Sequence, residues 1–194
     1  MKKLNFIIKY GLALLLLSFY SCESWLNVTP SDRLSEEMLF NDREGFVKAL
    51  NGVYIELNTN ELYGRNLTAG ALDVMGQYYS VASSSHAFYN YGGLVYTGND
   101  EKALFDNMWQ KCYAVIACCN TIIEKCDENK AGLSPVWKGS IKGEALALRA
   151  MLHFDMLRLF GPLTSELDKE SIPYQTNSDQ TVTPLPVSYT HLTL

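Results

Sequence analysis

Trp109-Gln110-Lys111-Cys112-Tyr113-Ala114-Val115-Ile116-Ala117-Cys118-Cys119-Asn120-Thr121-Ile122-Ile123 is the stretch that decides the fold. Trp109, Tyr113, Ile116, Asn120 and Ile123 stand at i, i+4, i+7, i+11 and i+14, the spacing that gathers side chains on one helical face. The helix is placed from about Asp100 to Cys126, with Gly132 beyond its end. Cys112, Cys119 and Cys126 recur every seven residues and share a face, yet successive ones lie ~10 Å apart at ~1.5 Å rise per residue. That separation is too large for a disulfide between neighbours or for shared zinc ligands. Adjacent Cys118 and Cys119 point about 100° apart. The cysteines therefore read as small apolar fillers of a helix–helix seam, and the sequence predicts neither a metal site nor a cofactor.

Working outward, a second periodic stretch precedes this one. Asn41 can cap and Glu44 can reach back to it, as in a capping box. Phe46, Leu50, Val53 and Leu57 then form one apolar stripe, with Gly52 read as a point of close helix approach. A third helix is placed from about Val136 to Phe160, with Leu148, either Met151 or Leu152, Leu159 and Phe160 among its apolar positions. Gly161-Pro162 ends it, glycine taking a left-handed turn and proline barring continuation. Ser24 to Phe40 reads as an irregular arm carrying Trp25, Leu26, Val28 and Pro30, and Thr164 to Leu194 shows no regular element. Three long amphipathic helices with no alternating strand pattern predict an all-α fold.

Between the first two helices, from Asn60 to Gly98, the period disappears. Gly64, Gly70, Gly76, Gly92, Gly93 and Gly98 punctuate the segment, together with Ser83-Ser84-Ser85. A loop this long in a compact domain is more often functional than idle. Tyr78, Tyr79, Phe88, Tyr89, Tyr91 and Tyr96 place six aromatics in nineteen residues, where the chain's average gives about two. No Lys or Arg occurs between Arg65 and Lys102. Aromatic faces beside Asp73, Gln77, Asn90 and Asn99 suit a neutral, hydroxyl-rich ligand better than a phosphate or a nucleic acid. The candidate ligand-binding residues are Tyr78, Tyr79, Tyr89, Asn90 and Tyr91. The plainer alternative is that these rings cover the helical core.

The N-terminus carries an export pattern. Met1-Lys2-Lys3 and Lys9 supply positive charge, Tyr10 to Phe19 is apolar, and Ser21 precedes Cys22. The apolar run is too short to span a bilayer as a mature helix. With cysteine at the cleavage point, the pattern resembles a bacterial lipoprotein signal over 1–21, with Cys22 as the acylated N-terminus. Phe19 and Tyr20 depart from the Leu-then-small residues of the best-known box. Without 1–21, 13 basic residues face 21 acidic ones, so the formal charge moves from −5 to −8. No basic stripe forms on any predicted helix, which argues against a nucleic-acid partner.

Taken together, Ala49-Leu50-Asn51-Gly52-Val53-Tyr54, then Trp109, Tyr113, Ile116, Asn120 and Ile123, then Gly143-Glu144-Ala145, Leu148-Arg149-Ala150, Phe154 and Phe160-Gly161 resemble the SusD/RagB family. The segment Cys22-Glu23-Ser24-Trp25-Leu26-Asn27-Val28-Thr29-Pro30 is similar to that family's acylated start. The likeness covers about Cys22 to Pro173, and Gly161-Pro162-Leu163 departs from many members in one turn. It implies an all-α scaffold of tetratricopeptide-like helix pairs, with a less regular subdomain carrying much of a nutrient site, often for glycans. It also implies a lipid-anchored, surface-exposed place on the cell outer membrane. The implied partner is a SusC-like TonB-dependent β-barrel that receives the ligand. On this reading 22–185 is the N-terminal part of a SusD-like domain, and 186–194 is an unassigned tail and a candidate for non-native sequence.

No catalytic set assembles from the sequence. His86, His153 and His191 are scattered, and neither a zinc-protease nor a serine-hydrolase motif is present. His153 and Asp155, adjacent to helix seams, read as structural or solvent-facing, Glu144 and Arg149 as making packing or ion-pair contacts, and Asn120 as satisfying nearby backbone groups. Two other function classes compete with nutrient capture. One is a helical-repeat adaptor that binds proteins; the other is a glycan-processing enzyme with its site in a C-terminal part beyond this chain.

Overall fold

The structure, a computed structural model, describes residues 36–179 and 186–188. The signal segment, Cys22, most of the arm, His191 and most of the tail lie outside the described residues. In chain order the elements are α1 (Glu36–Leu39), α2 (Arg43–Leu57), α3 (Ala71–Met75), α4 (Tyr89–Gly92), α5 (Asn99–Glu128) and α6 (Pro135–Phe160). A 3-10 turn (Thr164–Glu166) follows, then β1 (Ile172–Pro173) and β2 (Pro186–Val187). The fold is all-α with one minimal antiparallel ladder, Ile172 opposite Val187 and Pro173 opposite Pro186. None of the described helices is long and apolar enough to cross a membrane.

The centre is the α5/α6 pair. Cross-links run Lys142 to Asp127 at 2.5 Å, Arg149 to Asn120 at 2.9 Å and Cys112 Sγ to the Leu152 carbonyl at 3.9 Å. The partner numbers rise on one helix as they fall on the other, so the two run antiparallel. Met108, Cys112, Ile116, Cys119 and Cys126 fill the seam from α5, facing Ala145, Leu152 and Met156, all fully buried. Burying a side chain the size of Leu152 or Met156 contributes roughly 1.5–3 kcal/mol. The heptad cysteines are seam fillers as their spacing predicts. Burial pushes the Cys112 and Cys119 thiols up to about 12, which leaves them inert, while Cys118 faces outward.

Helix α2 lays Phe46, Leu50, Val53 and Leu57 on this pair, all buried. The Tyr54 hydroxyl donates to Glu144 at 2.6 Å and Lys111 pairs with Glu56. Several local expectations need correction. The cap of α2 is Asp42, whose Oδ1 accepts from the Gly45 amide at 2.8 Å, because α1 occupies the residues just before it. The arm is therefore helical at its end. The close approach falls at Gly45, where an added Cβ would lie 1.5 Å from the Leu39 carbonyl oxygen; Gly52 has open space around it. Gly161 is extended (φ −74°, ψ 174°) and not left-handed, while the left-handed position at the end of α5 belongs to Asn129. Of Met151 and Leu152, the second is the core residue. The segment after Thr164 holds a 3-10 turn and the ladder, where no element was expected.

Candidate ligand site

After α2 the chain turns tightly through 58–70, anchored by buried Leu62 and Leu67. Helix α3 ends at Gly76, and Gln77 takes a left-handed φ of 62° that reverses the chain. The Gln77 amide nitrogen then donates to the Gly92 carbonyl at 2.8 Å, tying the two ends of the loop together. Helix α4 is fixed to the first turn of α5 by Asn90 Nδ2, which donates to Glu101 Oε1 at 2.7 Å. That hydrogen bond, with one from the backbone, holds the Glu101 carboxyl below its ordinary range.

The six loop aromatics divide evenly. Phe88, Tyr91 and Tyr96 turn inward: ring centroids run Phe88–Tyr91 5.7 Å, Tyr91–Phe105 6.0 Å and Tyr96–Phe105 5.3 Å. The series continues through Phe105–Phe160 at 6.2 Å and Trp109–Phe160 at 5.0 Å, so the loop is stitched to the helix pair by edge-to-face contacts. Tyr91 is 2% exposed, and burial raises its hydroxyl pKa. It cannot offer a ring face to a ligand and leaves the candidate set; the alternative of core coverage describes these three rings.

Tyr78, Tyr79 and Tyr89 turn outward, at 80%, 57% and 43% exposure. Tyr79, Tyr89, Asn90, Gln77, Ser80 and Val95 line a cleft of about 380 Å³. Tyr78 stands outside it. No Lys or Arg lines the cleft, and the Tyr79 and Tyr89 hydroxyls have no partner among the described residues. Arg65 reaches the aromatic cluster at Phe88, 5.8 Å from the ring, away from the cleft lining. Such a surface can stack on apolar ring faces and exchange hydrogen bonds with hydroxyls.

A second groove, about 340 Å³, lies along α5 between Trp109, Tyr113, Ala114, Pro173 and Gln175. Sequence reading placed Trp109 and Tyr113 on the helix stripe, where they are half-buried, and had no signal for the strand segment that closes the groove. That segment is held by a polar network. Asn120 Nδ2 donates to the carbonyls of Gln175 and Asn177 at 3.2 and 3.0 Å, and Arg149 donates to Asn120 Oδ1. Asn120 thus satisfies backbone distant in sequence. Glu144 and Arg149 bind neutral partners, Tyr54 and Asn120, and make no ion pair among the described residues. The Gln175 amide donates to His153 Nε2 at 3.0 Å, so Nε2 must be unprotonated and Nδ1 donates to the Arg149 carbonyl at 2.9 Å. Burial lowers the His153 pKa to about 4, which keeps it neutral.

The described residues thus form a long antiparallel helix pair with a third helix laid on it and an irregular aromatic insertion. A SusD superfamily protein from Bacteroides thetaiotaomicron VPI-5482 matches with a TM-score of 0.58 at 22% identity, over 78% of this chain and 34% of that one. The chain belongs to the SusD-like family described as "Starch-binding associating with outer membrane", which matches residues 24–193. It is 25% identical to SusD-like protein P2 of Formosa agariphila over 166 residues, 83% of this chain and 30% of that protein. It is 23% identical to SusD-like protein P25 of the same organism over 175 residues, 82% and 31%. The chain thus spans about a third of the length of these relatives.

Proposed function

We propose that this protein captures a glycan nutrient at the outer-membrane surface, without catalysis, and passes it to a SusC-like TonB-dependent β-barrel. Cys22 is its lipid anchor, since two or three acyl chains hold where one binds only marginally. The observation that carries the glycan reading is the cation-free cleft between Tyr79 and Tyr89 in a chain whose family description is starch-binding. Calorimetry with a maltooligosaccharide tests it. Each stacking pair contributes about 0.5–1.5 kcal/mol, so Tyr79→Ala with Tyr89→Ala weakens binding roughly fivefold to a hundredfold. Unchanged affinity in a folded double variant removes the site from this cleft. Labelling with a fatty-acid probe tests the anchor: wild type is marked, and equal marking of Cys22→Ala overturns the assignment.

A further inference from the structure

We infer that the Tyr79/Tyr89 cleft carries two amide oxygens fixed as hydrogen-bond acceptors and no cation, and so favours uncharged sugars with free hydroxyl donors over O-alkylated and anionic ones. The inference rests on the glycan reading above and specifies what that site accepts. Both side-chain amides in the lining have their nitrogens committed inside the protein. Gln77 Nε2 donates to the Gly92 carbonyl at 2.8 Å, and to the Val74 carbonyl at 3.4 Å. Asn90 Nδ2 donates to Glu101 Oε1 at 2.7 Å. These acceptors are a carbonyl and a carboxylate, so neither amide can be turned over without setting oxygen against oxygen. Gln77 then has only its carbonyl oxygen left, while Asn90 keeps its oxygen and one N–H, and neither Gln77 Oε1 nor Asn90 Oδ1 has a partner among the described residues. An amide free to rotate presents either end; these two are locked with the oxygen as a fixed acceptor, beside the hydroxyls of Tyr79, Tyr89 and Ser80, which donate or accept. Charge adds to the bias, since no Lys or Arg lines the cleft and the ionised Glu101 stands directly behind Asn90. A carboxylate or sulfate entering here would lose water and meet fixed amide oxygens with no cation to offset its charge.

The test compares three probes on the full chain by calorimetry: β-cyclodextrin, its permethylated form, and an oligogalacturonate of similar size. Methylation keeps the apolar faces and removes every hydroxyl donor, so permethylation should weaken binding about tenfold or more, the equivalent of roughly one net hydrogen bond or more. The oligogalacturonate should bind at least about tenfold more weakly than the neutral sugar. Gln77→Met removes one acceptor and should shrink the preference for the unmethylated sugar. Equal binding of the methylated and unmethylated forms overturns the acceptor inference while leaving glycan capture standing. Preference for the anionic sugar overturns it as well. Binding of none of the three overturns the glycan reading at this cleft and the inference with it. Should Gln77→Met unfold the loop, the wild-type comparison alone decides.

Discussion

The α5/α6 seam and the 77–96 loop use their apolar and aromatic side chains in opposite ways. In the seam every large side chain finds neighbours on the facing helix, and even the cysteines are sealed from water. In the loop, three rings are spent on attachment and three are left in solvent, with two amide hydrogen bonds fixing the backbone between them. Side chains that hold the fold and side chains left to solvent are thus kept apart. The seam carries the fold, and the loop is held just firmly enough to keep Tyr79 and Tyr89 in place.

The largest blow to that division should come from Leu152→Ala, which opens a cavity in the seam. The expected loss is about 2–5 kcal/mol by chemical denaturation, with unfolding still cooperative. A loss under about 1 kcal/mol would mean the seam collapses to fill the hole, contrary to tight packing.

Acid should weaken the molecule at the network around His153. The folded-state pKa is about 4, while an unfolded chain's histidine titrates near 6.5. Between those values the unfolded state binds more protons, so the contribution is complete above pH ~6.5, falls as pH drops, and is gone below pH ~4. The span corresponds to roughly 3 kcal/mol. Denaturant melts across this range, compared with His153→Gln, isolate the effect from the carboxylates; parallel pH slopes would discard it.

Asp42→Ala removes the side-chain cap of α2 and should cost about 0.5–2 kcal/mol, while Asn41→Ala should cost little. The reverse ranking in thermal melts would return the cap to Asn41. Smallest of all, Tyr79→Ala with Tyr89→Ala should change stability by no more than about 0.5 kcal/mol each, since both rings are exposed. A larger loss would show that the outward rings are structural and erase the contrast between seam and loop.

The frame was legible in sequence wherever a long period repeats. Phe46, Leu50, Val53 and Leu57 bury as the stripe predicts, and the second and third helices begin and end within two residues of their expected bounds. What escaped depends on contacts distant in the chain. Tyr89 and Tyr91 are two positions apart and alike in composition, yet only Tyr91 meets Phe105 across the loop. Nothing local tells them apart. The two-residue strands are too short to show alternation, and the twelve residues between Pro173 and Pro186 carry no hairpin signal. His153 could be read only as structural or solvent-facing because its partner, the Gln175 amide, comes from a segment with no readable structure. The donor state of Gln77 and Asn90 could not be read at all, because it is set by a carbonyl and a carboxylate brought in by folding.

The antiparallel course of α5 and α6 also sets an order of assembly. Their cross-links close loops that lengthen from the turn outward, from Asp127–Lys142 to Trp109–Phe160, so the pair can zip from its own hinge at small loop-closure cost. Helix α2 closes over longer loops: Glu56 pairs with Lys111 on α5, its bond from Tyr54 reaches Glu144, and Tyr63 just beyond it reaches Asp155 at 2.5 Å, the last two across some ninety residues each. During synthesis the stripe of α2 therefore emerges long before its partner does. Pulsed hydrogen exchange should find α5 and α6 protected first and α2 last, and simultaneous protection would refute the order. Until the helix pair has been made, the stripe of Phe46, Leu50, Val53 and Leu57 has nothing to lie on and stays open to whatever else meets the growing chain.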